Sequence, residues 1–475
     1  MLTTVGSTAV AVAAISAALL SGTSPAAAAA TAPDWGCPKS ASASVTCING
    51  GGSTSSANAY VGQPSTGFLG GELYQYAAAN PGFGFSYEKA PGSAAQTALK
   101  DNLPSDFNGV LTETGYAVHF AASDSYVDSK SSLYPYVGAN HPLPGSGGQF
   151  IQMPLFATAS AIPINNAKNT ANGKIVLTDS DLCGIFSGLL TNWNQTSASK
   201  KATAGTIKVY WRNDNAGASA TFLLTQHLGA VCTTSNTKSG ITFKTTTKFA
   251  SLFPGVVTPP SDGTTAWTIP VGGDGSFSNF VGAKGSSGVA DGVNNDATNS
   301  AIGYVSPDYT AIAAVPATTT SAKKYTSLFV ASITNKNNST SYTPTVTNIT
   351  HAISNAASSP FSSPPSGSLA LAQVQTNWVP QITTPDSGYP IVAFSSWLLP
   401  QCFASASVAA GIKGFLTNHL NGVYTTTLQN SGFVPLVGGV ASGYGAAINQ
   451  IFLTNSKKYN LDINNTTACK GVTGR

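Results

Sequence analysis

Ile207-Lys208-Val209-Tyr210-Trp211-Arg212-Asn213-Asp214-Asn215-Ala216-Gly217-Ala218-Ser219 is the stretch from which the rest of the chain is read. Ile207, Val209 and Trp211 alternate with Lys208 and Tyr210, the period-two pattern of a half-buried strand. A loop of Asn, Asp, Ala and Gly follows, and then Phe222, Leu223, Leu224 and Leu228 recur at helical spacing. The same order appears upstream. Tyr116, Val118 and Phe120 alternate before Ala122-Ser123-Asp124-Ser125, and Thr178 stands as a helix cap ahead of Leu182, Ile185 and Phe186. Strand, loop and helix in alternation indicate α/β architecture with parallel sheets.

Within that stretch Arg212 is exceptional. The chain has 22 basic residues, and all but Arg212 and Arg475 are lysine. Arginine offers a planar fork that holds a carboxylate or another oxyanion through two parallel hydrogen bonds, with a charge that burial does not remove. Asp214, two positions on, is placed to brace the guanidinium. Gly217 lets backbone N–H groups approach a ligand at the start of the following helix. These residues make an oxyanion receptor; they would equally make a structural Arg–Asp pair closing a strand-to-helix turn. A second stretch, Ile48-Asn49-Gly50-Gly51-Gly52-Ser53-Thr54-Ser55, reads as a glycine-rich turn before a helix. Its amides and hydroxyls would suit an anion, although such a run is more often simply a turn. It lacks the lysine of a Walker loop.

Composition narrows the class. Charged residues are 8% of 475, against roughly 25% in an ordinary soluble protein, and hydrophobic residues are 42%. Low charge with ample apolar residues excludes intrinsic disorder. A net charge of +4 over this length supplies no basic stripe for a nucleic-acid backbone, so no nucleic-acid partner is expected.

The first charged residue is Asp34. Before it lie an apolar run from Val10 to Leu20 and the tract Ala26 to Ala30. Residues 1–30 read as a secretory signal with an alanine-rich cleavage region, too short to span a bilayer. The mature chain is therefore expected outside the cytoplasm, secreted or in the cell envelope, and no lipoprotein box precedes Cys37. Six cysteines in an exported chain favour disulfides over free buried thiols. Sequential pairing is expected: Cys37–Cys47, Cys183–Cys232 and Cys402–Cys469. No CxxC or clustered Cys/His spacing suggests a metal site. Ser358-Ser359-Pro360-Phe361-Ser362-Ser363-Pro364-Pro365-Ser366-Gly367 reads as a linker or surface loop. Neither a GxSxG elbow nor an HExxH helix is present, so a secreted hydrolase has no motif to support it.

Further segments carry a family resemblance. Cys47-Ile48-Asn49-Gly50-Gly51-Gly52 resembles the opening of the DING proteins, which belong to the phosphate-binding proteins of phosphate ABC transporters. Val118-His119-Phe120-Ala121-Ala122-Ser123-Asp124-Ser125 is similar to their acidic loop. Leu182-Cys183-Gly184-Ile185-Phe186-Ser187-Gly188, Lys284-Gly285-Ser286-Ser287-Gly288-Val289-Ala290 and Ala301-Ile302-Gly303-Tyr304-Val305 also match, as do Ser387-Gly388-Tyr389-Pro390-Ile391 and Gly432-Phe433-Val434-Pro435-Leu436. The matches run in order from about residue 45 to 472.

The resemblance implies a type II periplasmic-binding-protein fold, two α/β lobes closing on phosphate, with no catalytic residues and no cofactor. Residues 31–155 and 376–475 would form one lobe and residues 156–375 the other. The ligand set it implies is Thr54 and Ser55 after the glycine run, Ser93 in Pro91-Gly92-Ser93, Asp124, and Arg212 with Asp214 as its brace. Gly217, Ala218 and Ser219 would complete that set. Taken by itself, Asp124 would equally be a turn residue capping a neighbouring amide. Inorganic phosphate or a related oxyanion is the expected ligand and an ABC permease the expected partner, with the chain acting as a monomer. One departure stands out. The family's loop ends in Ser-Gly-Thr, and Ala216 and Ala218 occupy both hydroxyl positions here. Two lost hydrogen bonds to a charged group weaken binding by roughly 3–6 kcal/mol, or about two to four decades. A weaker phosphate site, another oxyanion, or a DING-like surface protein without tight binding all fit that loss.

Overall fold

The structure, a computed structural model, describes residues 45–62, 70–107, 117–127, 148–260, 265–273, 275–314, 325–354, 364–379, 381–437 and 442–475. The export segment and Cys37 lie outside these residues. The N-terminal strands are β1 (Thr46–Ser53), β2 (Phe83–Ala90), β3 (Phe120–Ser123) and β4 (Phe150–Ala159). The middle of the chain supplies β5 (Ile164–Asn166), β6 (Val176–Leu177), β7 (Lys208–Arg212) and β8 (Phe280–Ala283). It continues with β9 (Ser300–Ile302), β10 (Ser332–Thr334) and β11 (Ser341–Tyr342), before β12 (Val392–Pro400) and β13 (Val434–Pro435) return to the first sheet.

Two main sheets result, with orders β13-β4-β12-β3-β1-β2 and β5-β9-β7-β8, and a small third sheet β11-β10-β6. They are mixed, which corrects the expectation of parallel sheets. β1 is parallel to β2 and β3, but β12 runs antiparallel to both β3 and β4, and β5 antiparallel to β9. β4 keeps the chain in the first sheet to Ala159, past the 155/156 junction expected from sequence. Beyond it, Ser160 N donates to Ile391 O (3.0 Å) and Tyr389 Oη to Ser160 O (2.8 Å), so outgoing and returning segments run side by side.

Helices pack on these sheets as the sequence spacing indicates. Thr178 caps α4 (Asp179–Ser187) in a capping box with Asp181, and Leu182, Ile185 and Phe186 are buried. The helices α1 (Ala57–Val61), α2 (Glu72–Ala79), α3 (Gly92–Asp101), α5 (Ser219–Val231) and α6 (Gly285–Asn294) complete the part of the fold that surrounds the cleft. Cys183–Cys232 ties α4 to the end of α5, and Cys402–Cys469 ties the C-terminal segment to the end of β12. Cys47 is disulfide-bonded, while its expected partner Cys37 is outside the description. Among the described residues no helix is long and apolar enough to cross a membrane.

The glycine run is not the turn that the sequence suggests. Gly50, Gly51 and Gly52 lie within β1, a central strand held by β2 on one side and β3 on the other. Glycine is required because the neighbours come too close for a side chain. A Cβ on Gly52 would stand 1.9 Å from the Ala122 carbonyl oxygen, and one on Gly51 would stand 2.3 Å from that of Glu88. Gly52→Ala should therefore lower the free energy of unfolding by about 3 kcal/mol, the upper range for overpacking; an unchanged urea midpoint would refute this.

His119 locks the same strand. Its backbone N–H donates to Asn49 O (2.8 Å) and its Nδ1 accepts from Asn49 N (2.9 Å). Burial, assisted by the charge of Arg475, lowers its pKa from 6.5 to about 4. The unfolded chain thus takes up a proton near pH 6.5 that the folded ring refuses until about pH 4. Stability should fall with pH across that window, and His119→Gln should flatten the slope in denaturant titrations.

Candidate anion-binding site

β7 delivers Arg212 into the space between the halves, with only 2% of the residue exposed. Its backbone N donates to Tyr304 Oη (3.0 Å), and the same hydroxyl lies 2.8 Å from Thr221 Oγ1 on α5. The guanidinium Nε donates to Asp214 Oδ2 (2.6 Å), Nη1 to Ser286 Oγ (3.1 Å) and Nη2 to Thr54 Oγ1 (3.4 Å). One N–H on each Nη is left without a protein acceptor among the described residues. The Asp214 charge opposes the desolvation of the buried guanidinium and raises its pKa, so Arg212 stays cationic. Asp214 Oδ1 also accepts from Gly285 N (3.1 Å), which ties the Arg loop to the first turn of α6.

The facing wall comes from the end of β1 and the acidic loop. Ser53 Oγ donates to Asp124 Oδ2 (2.6 Å) and accepts from Ser55 N (3.3 Å). Asp124 is 1% exposed, and its Oδ1 has no partner among the described residues. Burial pushes its carboxyl above the ordinary value, while the hydroxyls of Ser53, Ser395 and Ser56 and the charge of Arg212 pull it down. Ser55 Oγ lies 3.5 Å from Ser286 Oγ, so hydroxyls of the two halves meet beside the guanidinium. Asp308 adds a second fully buried carboxyl that feels the charge of Asp124 and is pushed far up by burial.

The structure brings Arg212, Asp214, Thr54, Ser55 and Asp124 together, and it separates the backbone donors from them. Gly217 adopts φ 91° and its amide donates to Asp214 O (3.0 Å), while the Ala218 amide donates to Thr247 O (2.7 Å). Both amides named in the expected ligand set are thus committed to backbone carbonyls in this conformation. Ser93, in the first turn of α3, donates its hydroxyl to Ala216 O instead of the cleft. Ser219 opens α5 with a buried hydroxyl that has no partner among the described residues. A Cβ on Gly92 would lie 2.1 Å from that oxygen, so α3 and α5 begin against one another.

The Arg loop is fixed from outside as well. Trp267 N and Nε1 donate to Asn213 O and Asn215 O, each at 3.0 Å, and Asn215 Nδ2 donates to Pro260 O (2.7 Å). Across the halves, Tyr126 next to the acidic loop meets Phe222 of α5 edge-on at 5.1 Å, and Gln226 Nε2 donates to Tyr126 Oη (3.2 Å). Ser286 and Tyr304 are site residues to which the sequence reading gives no role, and Ser53, read there only as one hydroxyl after the glycine run, bonds Asp124. For Ser286 the signal was a hydroxyl in the first turn of a helix that follows a strand, as in the Arg loop.

The arrangement presents an open guanidinium edge, a ring of hydroxyls and a carboxylate acceptor to a small tetrahedral oxyanion. Comparison with known proteins agrees. A family model described as a PBP superfamily domain matches residues 24–359. The chain is 31% identical over 445 residues to alkaline phosphatase L of Pseudomonas aeruginosa strain UCBPP-PA14, covering 90% of this chain and 93% of the relative. It is 30% identical over 390 residues to a phosphate-binding protein of an unidentified prokaryote, covering 78% of this chain and 88% of the relative. The crystal structure of a DING protein superposes with a TM-score of 0.66 at 27% identity, over 90% of this chain and 99% of that one. A high-affinity periplasmic DING protein solved with phosphate gives 0.64 at 26%, with the same coverage. The chain has the type II periplasmic-binding-protein fold, two α/β lobes around a cleft, and it belongs to the PBP superfamily and, within it, to the DING phosphate-binding proteins.

Proposed function

We propose that the cleft captures inorganic phosphate as hydrogen phosphate, outside the cytoplasm, and that the chain hands it as a monomer to an ABC-type permease. One observation carries this reading: the buried fork of Arg212, braced by Asp214, lies close enough for its charge to act on the buried Asp124, whose Oδ1 has no partner among the described residues. Hydrogen phosphate fits both sides. Its oxygens accept from Arg212, Thr54 and Ser55, and its single proton goes to Asp124. Sulfate has no proton at neutral pH and would set its charge against that carboxylate, so it is rejected by repulsion. Phosphate has the same shape and differs only in that hydrogen.

The name alkaline phosphatase L given to some relatives raises hydrolysis as a second reading. A serine nucleophile needs a base beside it, and the buried histidines are engaged elsewhere. His119 bonds to Asn49, His227 to Asp179 and Thr383, and His419 to Glu72 and Leu155. Turnover of p-nitrophenyl phosphate that disappears in an Arg212 variant would revive hydrolysis and displace the binding reading.

Calorimetry tests the assignment. Arg212→Lys keeps the charge but loses the fork, and phosphate affinity should fall roughly a hundredfold; an unaltered dissociation constant would leave Arg212 a structural residue. Asp124→Asn should weaken phosphate about tenfold and strengthen sulfate by at least about the same factor. Because burial raises the Asp124 carboxyl, acidification supplies a proton that sulfate can accept. Sulfate affinity of the unmodified chain should accordingly rise as pH falls, whereas Asp124→Asn should show no such rise. Unchanged selectivity in that variant would remove Asp124 from the ligand set.

A further inference from the structure

We infer that Ser286 is a ligand-binding hydroxyl that supplies, from the start of α6, donation that Ala216 and Ala218 do not supply from the Arg loop. This rests on the phosphate reading above. Ser286 is 1% exposed and lies in the first turn of a ten-residue helix. Its oxygen accepts from Arg212 Nη1 at 3.1 Å. A serine hydroxyl has one proton and two lone pairs, so that contact leaves the proton to be placed. The oxygen recorded near it is Ser55 Oγ at 3.5 Å, well beyond the separation of about 2.7 Å that an O–H···O bond prefers. A tetrahedral anion seated on the open Arg212 edge would lie beside this proton and give it a charged acceptor.

At the end of the Arg loop the Ser219 hydroxyl has no partner among the described residues and lies against Gly92 at the start of α3, and the rest of the loop offers no hydroxyl at the two alanine positions. Ala216 and Ala218 carry methyls, the Gly217 and Ala218 amides are committed to Asp214 and Thr247, and the Ser93 hydroxyl is committed to Ala216 O. The α6 side has both a hydroxyl and a fixed position, because Asp214 holds Gly285 N while bonding Arg212. Guanidinium, brace and hydroxyl are therefore tied to one another. Ser286 comes from the half that holds Arg212, and Ser55 follows β1 in the other half. An anion taking protons from both would join the halves where they already meet.

Titration of the full chain with inorganic phosphate, beside melting curves without phosphate, tests this. Ser286→Ala should raise the dissociation constant about tenfold to a hundredfold, with a small change in the unliganded midpoint. Ser286→Cys, which keeps the shape but donates weakly, should show a similar loss. If Ser286→Ala proves unstable, the cysteine variant decides. Phosphate binding by the unmodified chain that both variants retain in full would overturn the role of Ser286 and leave the phosphate reading intact. An unmodified chain that binds no phosphate would overturn both.

Discussion

The interlobe site depends on one buried ion pair. Arg212 and Asp214 are both almost inaccessible, and their closest contact is 2.6 Å. Taking two charges out of water costs several kcal/mol per ion, and the attraction between them compensates only when the remaining donors and acceptors are satisfied. Here Tyr304 fixes the arginine backbone, Ser286 and Thr54 accept from its Nη atoms, and Gly285 donates to the aspartate. Removing either partner would strand a charge in a dry interior, a loss of about 3–5 kcal/mol. The pair is close to neutral as a unit, so it supplies direction more than net charge.

Much of this was legible in the sequence because it is local. β7 and α5 follow from the alternation of Ile207, Val209 and Trp211 and from the helical spacing after Ser219, and Asp214 braces Arg212 two residues away. Thr178 caps α4 through a contact only three residues long. The failures are of another kind. Gly50–Gly52 carry the composition of a turn, and only the approach of Ala122 and Glu88, which register places opposite them, makes that composition a strand. The Gly217 and Ala218 amides looked free until Thr247, outside the motif, came to bond one of them. Ser286 was quoted within a family match and given no role, because its partners Arg212 and Ser55 lie in other segments of the chain. Reach along the chain separates what was readable from what was not.

Two buried carboxyls bear on the discrimination proposed for the cleft. Asp214 is neutralised by Arg212, which leaves Asp124 and Asp308 as buried acids that sense one another. If both were ionised, a doubly charged guest would meet a net negative site. Burial and the neighbouring charge push Asp308 far toward its neutral form, and Ser306 occupies one of its oxygens. Burial raises Asp124 as well, though less far, against the opposing pull of the Ser53, Ser395 and Ser56 hydroxyls and the Arg212 charge. The two environments differ in degree, and each acid keeps one oxygen without a partner among the described residues. On the proposed reading such a site selects by the guest's proton more than by its size. The loss of loop hydroxyls at Ala216 and Ala218 therefore lowers the number of donors without touching the group proposed to discriminate, because Asp124 stands on the opposite wall and takes none of its support from the Arg loop's side chains beyond Arg212.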